Sequence, residues 1–361
     1  MNPLDEAKKF SSRESQNVLE SIYLLKEQCL DALESASSFS LEKSEGSPLG
    51  FKGIKNVVVA GMGGSALGAH IARSLLGDSL KSPIFIINNY ELPGFVNEET
   101  LVILSSYSGG TEEVLACFKE AKIKKAKMAV LTLGGELLEL ARKNKVPACV
   151  YSAEFNPSGA PRMGLGFAVF GIIGILSKAG LVNFGKAETK KAVLALTKFS
   201  KEFGADISTS KNTVKKIALK LYDKTPVLVG SEFLIGNLHA MQNQIQETAK
   251  NLAVYFELPE LNHHLMESLQ NPKRIKKELF FLFFESNLYH KRNIKRYGIT
   301  KDVVKMNGVD AVSYKLKSKN KISQGMEMLV FGSYLSFYLG ALYGASPLKI
   351  QWVDYFKKRM K

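Results

Sequence analysis

The stretch Val57-Val58-Val59-Ala60-Gly61-Met62-Gly63-Gly64-Ser65-Ala66-Leu67-Gly68 constrains the fold more than any other part of the chain. A β-branched run suits a buried strand, and here it stops abruptly at glycines before a segment of helical character. Glycines permit positive φ and let main-chain N–H groups approach an anion. The helix that follows presents unpaired amides and the positive end of its dipole. Strand, glycine turn and helix in that order make a phosphate-binding corner, without saying which phosphate.

The alternation continues along the chain. Val57–Ala60, Ile84–Ile87, Leu101–Leu104, Met128–Leu133 and Ala148–Tyr151 are short apolar runs rich in branched residues, with helix-like segments such as Ala66–Leu76 and Glu112–Ala121 between them. Strands that are apolar throughout, joined by crossover helices, imply a parallel sheet covered on both faces, which is a doubly wound α/β domain. Helical stretches over Leu165–Gly180 and Ala187–Phe203 close this half. A second start follows at Pro226-Val227-Leu228-Val229-Gly230-Ser231, and its strand and Gly-Ser turn suggest a duplicated architecture whose second copy has lost the glycine-rich loop. Ahead of both, residues 1 to about 50 read as one long amphipathic helix carried by Val18, Ile22, Leu25, Cys29 and Leu33, then a Ser/Gly-rich linker. The expected division is a helical segment at 1–48, a first domain with the phosphate loops at 49–205 and a second domain at 206–361.

Composition excludes several classes. The 361 residues suffice for two domains of ordinary size. Met1-Asn2-Pro3-Leu4-Asp5-Glu6 leads into a charged, helix-like region, which argues against export. The apolar runs Leu165–Leu176 and Met328–Gly344 read as buried helices, the first being too short for a bilayer and the second carrying Ser333, Ser336 and three tyrosines. Cys29, Cys117 and Cys149 form no CxxC pair, so neither a disulfide framework nor a zinc site is indicated, and a reducing cytoplasm fits. The net charge of +15 suits nucleic acid or an anionic small substrate. The clusters Lys119–Lys127, Lys273–Lys277 and Lys315–Lys321 lack interleaved aromatics and read as solvated faces, so neither nucleic acid nor a membrane is an expected partner.

Gly61, Gly63 and Ala66 satisfy the dinucleotide spacing G-x-G-x-x-G/A. A dinucleotide site also wants a carboxylate at the end of the second strand, and that strand ends Ile86-Ile87-Asn88-Asn89-Tyr90. The third strand instead runs into Ser105-Ser106-Tyr107-Ser108-Gly109-Gly110-Thr111-Glu112-Glu113, where the hydroxyls of Ser106, Ser108 and Thr111 sit on a glycine-bearing turn that starts a helix. Hydroxyl and amide donors can wrap a phosphate monoester from several sides, and a neutral cradle releases product more readily than an arginine clamp.

Gly61-x-Gly63-Gly64-Ser65, followed about forty residues later by Ser106-Tyr107-Ser108-Gly109-x-Thr111, resembles the sugar isomerase (SIS) domain, whose loops bind the phosphate of a sugar phosphate. Asn89-Tyr90-Glu91-Leu92-Pro93 and Pro161-Arg162-Met163-Gly164-Leu165-Gly166 are similar to segments of the bifunctional phosphoglucose/phosphomannose isomerases of archaea and bacteria. The likeness runs from about residue 45 to the C-terminus. It implies two doubly wound parallel-sheet SIS-type domains behind an N-terminal helix. It also implies that Gly63, Gly64, Ser65, Ser106, Ser108 and Thr111 hold the phosphate.

An isomerase further needs a base near the sugar carbons and an acid near the ring oxygen. Two segments are candidates, Gln244–Lys250 and Leu258–His264. By resemblance Glu247 is the base that carries the proton between C1 and C2 through a cis-enediol. His263, sixteen residues on, is the ring-opening acid and comes from the other subunit, which makes a homodimer with a shared active site. The closing stretch Ser346–Lys357 resembles the family's last helix, whose lysine assists ring opening. That is Lys357 by position, although Lys358, Arg359 and Lys361 beside it also read as a solvated basic tail. By the same resemblance, the Pro-Arg turn is expected to place Arg162 where a fixed positive charge stabilises the enediolate.

Departures from the family pattern are Gly110, Gln246 and Thr248 where asparagines are usual, Ala66 for a glycine, and Ile350 at a position that is commonly polar. His70, His239 and His290 lack partners at metal-ligand spacing and are expected to be structural. The expected activity is a cofactor-independent isomerase of hexose 6-phosphates serving glycolysis, gluconeogenesis and sugar-nucleotide supply. Two other readings remain at this point, a non-catalytic SIS sugar-phosphate sensor and another SIS enzyme such as a phosphoheptose or amido-sugar isomerase. The first 50 residues show no helix-turn-helix pair for a sensor, and the Glu247/His263 spacing argues against the second.

Overall fold

The computed structural model describes residues 2–6, 10–38 and 51–360. Helices α1 (Arg13–Tyr23) and α2 (Leu25–Ser38) precede a strand–helix alternation: β1 (Asn56–Gly61), α3 (Gly64–Leu76), β2 (Ile84–Ile87), β3 (Thr100–Ser105), α4 (Glu112–Ile123), β4 (Lys127–Thr132), α5 (Gly135–Lys143) and β5 (Ala148–Val150). The five strands form one parallel sheet in the order β2-β1-β3-β4-β5. Alternate residues feed two separate cores, as the pleat of a strand requires. Val57, Val59, Leu101 and Ile103 enter one, and Val58, Ala60, Val102 and Leu104 the other. Burial on both faces is why these strands are apolar throughout rather than alternating.

Next come α6 (Leu165–Lys178), α7 (Lys186–Glu202), α8 (Thr213–Leu221), β6 (Thr225–Ser231), α9 (Ile235–Gln244), a π-helical turn at Ile245–Ala249, and β7 (Val254–Leu258). The short helices α10 (Leu265–Ser268) and α11 (Ile275–Glu278) lead to β8 (Leu279–Glu285), α12 (Lys291–Met306), β9 (Asp310–Lys315), α13 (Lys321–Leu342) and α14 (Gln351–Met360). The second sheet is also parallel, in the order β7-β6-β8-β9, which repeats the connectivity of the first four strands of the first sheet and has no counterpart of β5. The duplication suggested by the second strand-and-turn motif is therefore present. Helix α13 is long and apolar enough to cross a bilayer by composition, but it runs through the interior, and α6 is likewise buried.

The single N-terminal helix expected from the apolar spacing is instead two helices broken at Leu24, and the Ser/Gly-rich linker after it falls among residues 39–50, outside the described residues. The break has a tertiary cause. The Gln28 side-chain amide donates to the carbonyl of Ser21 at 3.1 Å and to those of Phe155 and Met163 at 2.9 and 3.0 Å. A carbonyl that a continuous helix would use internally is given to this contact, and α2 turns to lie along α6.

In both sheets the crossovers reverse direction between the first and third strands, and ligands bind at the carboxyl ends of strands at such a switch point. Gly63–Ser65 follows β1, and Ser106–Thr111 follows β3, so both loops flank the first switch point. The second is built differently. Glu232, at φ 51, follows β6, and its Oε1 accepts from the His290 main-chain N–H at 2.8 Å and from Asn293 Nδ2 at 2.7 Å. His290 caps the N-terminus of α12, so the chain's own carboxylate lies where the first half leaves its corner open.

Candidate active site

The glycine loop is shaped by two different constraints. Gly63 caps α3 with φ 48 and ψ −129, a conformation closed to other residues without strain. Gly64 is required by proximity, because a Cβ there would stand 2.8 Å from the Pro161 carbonyl carbon and 3.0 Å from the Arg162 nitrogen. The loop and the Pro-Arg turn are thus in direct backbone contact. Asn88, which replaces the carboxylate a dinucleotide site would need, donates through Nδ2 to the Gly61 carbonyl at 2.6 Å and tethers the loop to the end of β2.

Ser65 Oγ accepts from the Tyr107 N–H at 2.9 Å, and Ser105 Oγ donates to the Ser65 carbonyl at 3.1 Å, so the β1 and β3 loops are stitched together. Because Ser65 Oγ accepts from the protein, its own proton is available to a ligand. Thr111 stands at the N-cap of α4, yet its hydroxyl pairs with Ser106 Oγ at 2.7 Å rather than capping the helix. Ser106 Oγ in turn accepts from the Gly109 N–H at 3.1 Å. Ser108 is exposed, as is Gly63, at the open mouth of the cradle. The structure therefore brings all six predicted phosphate-binding residues to one corner.

From that corner the chain leads straight to a charged pair. Arg162 is only 2 % exposed, and its Nη1 lies 3.1 Å from Oε2 of Glu247, whose side chain is 31 % exposed. Every arm of the guanidinium is engaged: Nε donates to Thr248 Oγ1 at 3.1 Å, and Nη2 donates to the carbonyls of Pro347 at 2.6 Å and Leu348 at 3.4 Å. Gln244 holds the Arg162 carbonyl from the other side at 3.0 Å. Burial lowers the proton affinity of Arg162 while Glu247 opposes that effect, and an arginine so placed stays cationic. Glu247 sits mid-way along the π-turn, a form that recurs at functional positions because its extra residue re-aims side chains. Thr248, a departure from the family's asparagine, supplies the hydroxyl that fixes Arg162. Sequence reading missed that role, as it missed Asn88 and the two carbonyls near the C-terminus.

His263 and Lys357 are not brought to this pair. His263 ends the 3₁₀ turn after β7, exposed, while Glu247 lies just before β7. The five residues of β7 lie between them, so the two stand at opposite ends of that strand. Asn262 anchors the turn by donating to Thr300 Oγ1 at 2.8 Å and accepting from Arg296 Nη1 at 3.1 Å, and His264 faces Glu260 at 3.8 Å. No hydrogen bond or ion pair to another described residue engages His263. Lys357 lies on α14, whose ten residues are all exposed. Among the described residues no group of three His, Cys, Asp or Glu side chains converges as a metal site would require, and all three cysteines are buried thiols.

Two parallel sheets of matching strand order, with a glycine and serine cradle at the first switch point, define a double SIS protein. Residues 210–360 match the family described as the bacterial phospho-glucose isomerase C-terminal SIS domain. The chain is 31 % identical over 351 residues to a bifunctional phosphoglucose/phosphomannose isomerase of Caldicellulosiruptor bescii, covering 95 % of this chain and 98 % of that one. A protein of the same description from Aquifex aeolicus is 28 % identical, over 85 % of this chain and 91 % of its own length. The C-terminal domain of glucosamine-fructose-6-phosphate aminotransferase from Francisella tularensis superposes with a TM-score of 0.67 at 12 % identity, over 94 % of this chain and 98 % of that chain. The fold is thus the double SIS architecture, and the chain belongs to the bifunctional phosphoglucose/phosphomannose isomerase family.

Proposed function

We propose that this chain is an aldose–ketose isomerase that interconverts glucose 6-phosphate and mannose 6-phosphate with fructose 6-phosphate, without a cofactor. The observation that carries the reading is the buried guanidinium of Arg162, borne on the turn that touches the phosphate loop, at 3.1 Å from the solvent-reachable carboxylate of Glu247. Relatives described as acting on both hexose phosphates support the pair of substrates.

The cradle of Gly63, Gly64, Ser65, Ser106, Ser108 and Thr111 takes the 6-phosphate through hydroxyl and amide donors, leaving the other end of the sugar toward Glu247. Its carboxylate removes the proton from C2 of the aldose, and the negative charge that develops on the enediol oxygen meets the fixed charge of Arg162. The same carboxylate returns the proton to C1 while the hydroxyl proton passes from O2 to the adjacent O1 of the cis-enediol, leaving C2 as the carbonyl, and the reverse sequence runs from the ketose. One face of a planar cis-enediol is enough for both transfers, so a single base serves. Arg162 needs no reorganisation during the step, since Thr248, Pro347 and Leu348 already hold it.

Ring opening needs a proton at the ring oxygen, and we assign it to His263 of a second copy of the chain. The placement of His263 and Glu247 beyond opposite ends of β7 within one copy favours this division of labour, which makes the homodimer the active species. Lys357, on the exposed α14, manages the C1 hydroxyl. The enzyme works in the cytoplasm and serves glycolysis, gluconeogenesis and sugar-nucleotide supply. A panel of sugar 6-phosphates tests the reading. Wild type converts glucose and mannose 6-phosphates to fructose 6-phosphate, Glu247→Gln loses at least about 10²-fold in kcat, and His263→Ala loses more on closed-ring than on open-chain substrate. A wild type inactive on both hexose phosphates sinks it.

A further inference from the structure

Lys250 immediately follows the π-turn that carries Glu247 and has no assigned role. Its backbone is left-handed, at φ 57 and ψ 26, where a glycine would normally stand. Holding a lysine there strains the backbone, which is tolerated where the side chain is needed. The left-handed geometry alone says little, since Lys125, Lys145, Asp223 and Glu232 share it at other turns. What sets Lys250 apart is its target. Its Nζ folds back and donates to the main-chain carbonyl of Glu247 itself.

Resting on the isomerase reading above, we propose that Lys250 is a positioning residue for the proton transfer, its ammonium fixing the last turn of the helix and hence the aim of the Glu247 carboxylate. The carbonyls at the end of a helix have no internal partners, and a π-turn has a wider, less constrained ring than an α-turn. Without a donor at its carbonyl, Glu247 can tilt as the turn relaxes, and Arg162 holds only one of its carboxylate oxygens. The second oxygen is the one free to take the substrate proton, and its direction is set by the backbone beneath it.

Lys250 is exposed, yet its ammonium lies within reach of the site's charges. Desolvation first, then the Arg162 charge, lower the proton affinity of Lys250, with Glu247 and Glu14 opposing. Glu14, on α1, also accepts from Ser346 Oγ at 2.6 Å, so it ties the segment leading to α14 to the same charged cluster. Four charged groups, Glu14, Arg162, Glu247 and Lys250, drawn from α1, the Pro-Arg turn and the π-turn, thus share one neighbourhood.

Glycine separates the two jobs of Lys250, because Lys250→Gly keeps the left-handed backbone and removes the side chain with its ammonium. Expected is a fall in kcat of about tenfold or more with KM for fructose 6-phosphate within about threefold and a Tm at or above that of wild type, since glycine relieves the left-handed strain while a sub-ångström misplacement of the base acts on the chemical step. Lys250→Arg, which can still reach the carbonyl, recovers most of kcat. Lys250→Gly with kcat within twofold of wild type overturns the proposal, as does a kcat loss matched by a fall in Tm, which marks the bond as a structural cap. Glu247→Gln run in parallel keeps the two readings apart. If that variant is inactive while Lys250→Gly is not, only the role of Lys250 falls.

Discussion

Gly64→Ala is the sharpest test of how the phosphate loop and the catalytic pair are coupled. A methyl group there would sit 2.8 Å from the Pro161 carbonyl carbon, 2.9 Å from its oxygen and 3.0 Å from the Arg162 nitrogen, where ordinary contact begins at 3.4 Å. The overlap is with main chain, so no side chain can rotate away, and the two segments must part by about half an ångström. Overpacking of this kind costs about 1–3 kcal/mol, and alanine's better helix propensity at the start of α3 returns up to ~1 kcal/mol of it. Stability is therefore a blunt reporter, and kcat is a keen one. The displaced Arg162 carries its guanidinium away from Glu247 Oε2, and since ~1 Å of misplacement can cost about 10²-fold, half of that predicts a loss of roughly tenfold. Gly63→Ala is the control, because nothing lies within 4 Å of its Cβ and its penalty is backbone strain alone. It should raise KM through the phosphate loop while leaving kcat nearly intact. Steady-state kinetics on fructose 6-phosphate with melting curves for both variants decides the matter. Wild-type kcat in Gly64→Ala would show that the loop and the Pro-Arg turn are not mechanically linked.

Thr248→Val removes the acceptor of Arg162 Nε and leaves a buried donor unpaired, so Tm drops in line with about 1–3 kcal/mol and kcat falls with it. Thr248→Ser restores both, and a valine variant as stable as wild type would contradict the assignment. Acid stability should report on His70 and His239, whose rings meet edge to face at 4.4 Å. Burial, then His239 and Arg73, push His70 down to about 4 from 6.5, and burial followed by Arg73 lowers His239. The unfolded chain therefore binds more protons than the folded one between those values, so stability is full above about pH 6.5 and declines as pH falls toward 4. His70→Gln should flatten part of that decline in a Tm-versus-pH series, and an unchanged slope would refute the contribution.

The first sheet was legible because its strands are buried on both faces and so read as unbroken branched runs, with observed ends within a residue or two of expectation. Edge strand β9, Asp310–Lys315, is mostly exposed and carries no such run, which is why nothing in its composition announces a strand. The break at Leu24 was hidden for a different reason, since it depends on Gln28 reaching carbonyls 127 and 135 residues away. At the site, glycines and hydroxyls declare themselves locally. Arg162 and Glu247 do not, being 85 residues apart, and only the family likeness linked them in advance. Thr248 looked like a deviation and proved to be a hydrogen-bond partner. The left-handed Lys250 could not be seen at all, because neither residue type nor spacing encodes a backbone angle.

Glu232 gives the duplicated scaffold an asymmetry with a consequence for ligand stoichiometry. With its carboxylate seated between β6 and β8, hydrogen-bonded at 2.7 and 2.8 Å, the second half is already saturated by an anion on its own chain. Dilution cannot remove that anion and competing phosphate cannot easily displace it, whereas the first half is stabilised only in proportion to free ligand. Because both sheets share one core, heating the chain with and without a hexose phosphate would then shift a common transition as expected for one ligand site per chain rather than two.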